Sequence, residues 1–82
     1  MASLEVNFTL SSNVNTGDWI GPLTLNTEIP SSCRPIAERV VSPTSHSSMY
    51  VEVTPEGNIY YKNVSSSTLS KPSIGCNSSW LI

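Results

Sequence analysis

Tyr50-Val51-Glu52-Val53-Thr54-Pro55-Glu56-Gly57-Asn58-Ile59-Tyr60-Tyr61-Lys62-Asn63 is the stretch that decides the fold. Two alternating runs flank a turn. Pro55 has the fixed φ that suits the first central position of a tight turn, and Gly57 supplies the left-handed residue of a hairpin bulge. A turn pairing Thr54 with Asn58 sets Val53 opposite Ile59, Glu52 opposite Tyr60, Val51 opposite Tyr61 and Tyr50 opposite Lys62. Val51, Val53, Ile59 and Tyr61 then share one apolar face. Tyr50, Glu52, Tyr60 and Lys62 share the other. Turn chemistry and alternation demand the same register, and a slip of one residue would turn every apolar side chain to solvent.

Outward from the hairpin, strand signals recur. Leu4, Val6, Phe8 and Leu10 alternate with Glu5, Asn7 and Thr9, a half-buried strand. A polar loop, Ser11 to Asp18, follows, then the apolar corner Trp19-Ile20-Gly21-Pro22. Leu23-Thr24-Leu25-Asn26 reads as a second strand. Pro30 and Pro35 restrict their neighbours to extended or turn geometry, so no helix is expected between them. Ile36 to Val41 reads as a further strand, Ser42 to Ser48 as a loop, and Val64 to Ser73 as a Ser-rich loop or irregular edge. Ile74, Cys76, Ser78, Trp80 and Ile82 form a last alternating set, expected to pack into the core. Six or seven strands and no amphipathic helix predict an all-β fold in one domain, 1–82. It would be a small antiparallel β-sandwich or jelly roll.

Composition narrows the function. Of the 82 residues, 30 are Ser, Thr or Asn, only 12% are charged, and the net charge is −2. No basic cluster exists to grip nucleic acid. No apolar run reaches the roughly 20 residues of a membrane span, so membrane insertion is not expected. Met1 to Glu5 lacks the basic-then-apolar order of an intact signal peptide. A domain this small buries only about 60–65% of the surface its unfolded chain exposes. A disulfide or an oligomer interface is therefore expected to assist it.

An enzyme needs an activated group with a partner. The chain has one His and one Asp, and no His/Cys/Asp/Glu grouping at metal-ligand spacing, so neither catalysis, metal nor cofactor is expected. His46 stands among serines, either as a solvated loop residue or as a hydrogen-bonding group. Cys33 and Cys76 would close a loop of roughly 40 residues as a disulfide, worth about 4 kcal/mol. The plainer reading leaves them reduced, with Cys76 a small buried hydrophobe. Asn7, Asn63 and Asn77 each begin an Asn-X-Ser/Thr triplet, as a Ser- and Asn-rich chain will by chance. The aromatics are more telling. Saccharide sites pair an aromatic platform with a few convergent polar groups. Trp19 and Tyr60 are the candidate stacking platforms, with Asp18 and His46 as candidate hydrogen-bonding groups. Against this, Trp19 would serve as a core cap, and Tyr50 and Tyr60 would pack on a neighbouring subunit.

Three segments now line up: Trp19-Ile20-Gly21-Pro22-Leu23-Thr24-Leu25, then Ile29-Pro30-Ser31-Ser32-Cys33-Arg34-Pro35, then Val51-Glu52-Val53-Thr54-Pro55-Glu56-Gly57-Asn58-Ile59 before an apolar last strand. Over residues 19–82 the order resembles the C-terminal receptor-binding head of bacteriophage tail fibre and baseplate proteins. Residues 1–18 add an N-terminal strand and loop. Cys33 and the late Trp80 depart from that pattern. The resemblance implies a non-catalytic homotrimeric head on the virion tail that attaches to a bacterial surface glycan, beside other tail or baseplate proteins. It carries over Pro30, Arg34, Pro35 and Gly57 as structural positions and no binding residue. Two other readings stand beside it: a structural tail module that docks only virion proteins, and a secreted adhesin or carbohydrate-binding module with a Cys33–Cys76 disulfide.

Overall fold

The computed structural model describes residues 1–25, 27–36 and 38–82. It is all-β, with strands β1 (Ala2–Thr9), β2 (Val40–Pro43), β3 (Met49–Val53), β4 (Ile59–Asn63) and β5 (Ser73–Trp80), and one short 3-10 turn at Ser31–Cys33. β1 and β5 form a two-stranded antiparallel sheet; β2, β3 and β4 form a three-stranded antiparallel meander.

The hairpin takes the register its turn chemistry dictates: Val53 faces Ile59, Glu52 faces Tyr60, Val51 faces Tyr61 and Tyr50 faces Lys62. The Gly57 amide donates to the Thr54 carbonyl at 2.9 Å, the Thr54 amide to the Asn58 carbonyl at 3.0 Å, and Gly57 holds φ +83°. The Asn58 amide also donates to Thr54 Oγ1 at 3.2 Å, closing the turn from the side-chain direction. Met49, Val51, Val53 and Ile59 are all buried on the inner face. Each such side chain contributes about 1.5–3 kcal/mol by leaving water.

Alternation also sets the second sheet. Ala2 pairs with Trp80, Leu4 with Ser78, Val6 with Cys76 and Phe8 with Ile74 on the inward side. Ser3, Glu5, Asn7 and Thr9 meet Ser79, Asn77, Gly75 and Ser73 on the exposed side. The inward residues of β5 join those of β3 and β4 in one core, with Leu4, Val6 and Phe8 packed at its margin. Between the sheets, Ser42 Oγ and Ser78 Oγ form a buried hydroxyl pair at 2.8 Å. Trp80 is anchored by its indole N–H, which donates to the Cys33 carbonyl at 2.8 Å.

The described residues form five strands rather than six or seven. Leu23 to Leu25 form no strand, and Asn26 lies outside the described residues. Pairing occurs just upstream instead: Ile20 and Tyr61 exchange both backbone hydrogen bonds at 2.8 and 3.0 Å, and the Leu23 amide donates to the Ile59 carbonyl at 2.8 Å. Pro22, between them, has no N–H, so the contact with β4 cannot extend into a ladder. Within the expected strand from Ile36 to Val41, Ala37 lies outside the described residues, and strand geometry begins at Val40. It continues through Pro43, on an edge strand where a proline leaves no ladder bond broken. Ile82, expected in the core, is 53% exposed and lies beyond the end of β5.

The Ser-rich segment after β4 is held by Asn63, which is 1% exposed. Its Nδ2 donates to the Val14 and Ser67 carbonyls, each at 2.9 Å, and its Oδ1 accepts from the Ser65 amide at 2.9 Å. The first of the later two glycosylation-type triplets thus begins at a structural asparagine. Cys33 and Cys76 are free thiols; Cys76 is buried, its Sγ donating to the Pro43 carbonyl at 3.5 Å.

Candidate functional site

The outer face of the meander carries two cross-strand rows, Val41–Glu52–Tyr60 and Pro43–Tyr50–Lys62. The Ile20–Tyr61 bridge brings the Trp19 segment alongside β4. Gly21 permits the close approach: at φ +145°, a β-carbon there would meet the Ile59 carbonyl oxygen and Tyr60 Cδ1, both at 3.0 Å. Trp19 consequently reaches this outer face, and Lys62 Nζ lies 5.6 Å from the centre of its ring, within cation–π range.

A cavity of about 350 Å³ opens here, lined by Trp19, Arg39, Glu52, Thr54, Glu56, Asn58 and Tyr60. Its size falls in the roughly 300–1,000 Å³ range of small-ligand sites. The hairpin supplies most of it. Glu52 and Tyr60 are direct cross-strand partners, and Thr54, Glu56 and Asn58 belong to the turn. Two half-buried aromatic rings thus share a cavity with two carboxylates, a guanidinium, an amide and a hydroxyl.

Glu52 is the unusual member. The register puts it on the outer face, yet it is 1% exposed. Its Oε1 lies 3.2 Å from Arg39 Nη1, whose side chain is 63% exposed. Its Oε2 is buried without a hydrogen-bond partner among the described residues. Burying a carboxylate oxygen unpaired costs at least about 1–3 kcal/mol.

The four candidate residues divide. Trp19 and Tyr60 line the cavity together. Asp18 is exposed in the preceding loop and is not part of the lining. His46 lies in the turn between β2 and β3, at the opposite end of β3 from the Thr54–Asn58 turn. There its Nδ1 accepts from the Ser48 amide at 3.2 Å and its carbonyl accepts from the Met49 amide. The sequence offers Glu52 only as a neighbour of Tyr50 and Tyr60 on the outer face, and does not mark Arg39, Thr54, Glu56 or Asn58 as site residues. The Glu52–Tyr60 pairing was available from the hairpin register, and Thr54, Glu56 and Asn58 from their place in its turn. Arg39 had no local signal. Among the described residues, no group of three His, Cys, Asp or Glu side chains is placed to hold a metal ion. The chain matches no protein-family model, no curated protein and no solved structure.

Proposed function

We propose that this chain is the receptor-binding head of a bacteriophage tail. It is non-catalytic and homotrimeric, built as a jelly-roll-like sandwich, and attaches the virion to a saccharide on the bacterial surface. The observation that carries the reading is the shared cavity of Trp19 and Tyr60. Flat aromatic faces match the apolar C–H face of a pyranose, and the surrounding Asn58, Thr54, Glu52, Glu56 and Arg39 offer both donors and acceptors for its hydroxyls. The Ser-, Thr- and Asn-rich surface also suits contact with neutral partners and with neighbouring subunits. Of the four candidate residues, this reading retains Trp19 and Tyr60 as stacking platforms. The test is a glycan array and a cell-wall pull-down with wild-type protein and Trp19→Ala. Binding by wild type and its loss in the variant is expected. Absence of binding by both would sink the proposal.

A further inference from the structure

The buried carboxylate that lines the cavity asks for a donor. Glu52 is fixed on the central strand of the meander, and one of its two oxygens has no partner. The other meets a single guanidinium nitrogen of Arg39, an arginine that is mostly in solvent. A carboxylate has about four acceptor sites, and an exposed arginine gains little by staying on this one. Any incoming group that reaches both oxygens competes directly with Arg39.

The charge of that group matters. A neutral hydroxyl that displaced Arg39 would leave a buried carboxylate without a counter-charge, which is strongly unfavourable. An ammonium replaces the guanidinium charge for charge, is more compact, and carries three donors. Glu56 lines the same cavity as a second carboxylate. The aromatic rings favour a cation as well, as the lysine ammonium over Trp19 illustrates.

We infer that the cavity binds an amino sugar through its free ammonium, with Glu52 as the anchor and Arg39 as the counter-ion it displaces. This rests on the saccharide reading above and adds the charge of the ligand to it.

The test compares three sugars that share one pyranose frame and differ at C2, glucosamine (ammonium), N-acetylglucosamine (acetamide) and glucose (hydroxyl). Each is titrated into the full chain by calorimetry and by NMR at the Trp19 indole N–H. The expected result is a Kd for glucosamine about tenfold or more below the other two, as a charge-assisted hydrogen bond provides. Glu52→Gln should bring the three sugars level. Raising the pH until the glucosamine amine is neutral should do the same in wild type, so the test does not depend on the variant folding. Equal affinities for all three sugars on wild type would overturn the amine preference while leaving the saccharide site standing. A Trp19 signal unmoved by every sugar would overturn both.

Discussion

Gly57 lies against the side chain of Arg34: a β-carbon at Gly57 would stand 2.5 Å from Arg34 Nε. Arg34 Nε in turn donates to the Ile29 carbonyl at 2.9 Å. The Pro-Arg segment and the hairpin turn, distant in sequence, therefore meet at Gly57, where a β-carbon would force the Arg34 side chain to shift off the Ile29 carbonyl. Two costs fall on Gly57→Ala. The left-handed backbone costs about 1–2 kcal/mol, and the overpacked contact adds roughly 1–3 kcal/mol. In an Arg34→Ala background the second cost should vanish. Urea midpoints of the four proteins check this; an equal penalty in both backgrounds would show that the contact is irrelevant.

Asn63→Ala removes the side chain that holds the Val14 and Ser67 carbonyls and the Ser65 amide. The Val14 carbonyl keeps the Leu69 amide and the Ser67 carbonyl keeps the Ser65 hydroxyl, so loss of the asparagine's own bonds should cost about 1–3 kcal/mol. Amide exchange at Val14 and Leu69, which bond each other's backbone, should accelerate more than exchange in β3. Uniform acceleration would mean that Asn63 stabilises the whole domain and not this loop.

The Ser42–Ser78 pair joins the two sheets through one hydrogen bond. Either single alanine substitution strands a buried hydroxyl and should cost about 1–3 kcal/mol. The double variant strands nothing, so its cost should fall well below the sum of the two. Thermal denaturation of the full cycle measures the coupling; strict additivity would contradict it.

Burial pushes the Cys76 thiol above its usual pKa. The unfolded chain loses this proton near pH 8.5, before the native protein does. The resulting stability is fully present below that pH and falls as pH rises through the raised native value. Cys76→Ala should therefore flatten the alkaline fall in the urea midpoint. In native protein at neutral pH, a thiol reagent should label the half-buried Cys33 well before Cys76.

Loss of both aromatic platforms by Trp19→Ala and Tyr60→Ala should abolish saccharide binding while leaving the core intact, because neither side chain belongs to the buried cluster. Circular dichroism and the binding assay together read this out. Retained binding in the double variant would remove the cavity from consideration.

Elements whose instructions are local can be read directly from the chain. The Thr54–Asn58 turn residues and the alternation beside them dictate the β3–β4 register, and period-two patterns mark the inward faces of β1 and β5. Period two says which face a residue occupies, not whether that face is covered. Alternation puts Glu52 on the outer side, where the structure also has it, but does not show that it is buried or that Trp19, Arg39 and Tyr60 share its cavity from separate segments. The same limit applies to Trp19, which reaches β4 through Gly21 rather than through the strand expected at Leu23–Asn26. It applies to the Asn63 contact with Val14, 49 residues away. These features arise only on folding, because contacts between distant segments set solvent exclusion and hydrogen-bond partnership. Neighbours in the chain do not encode them.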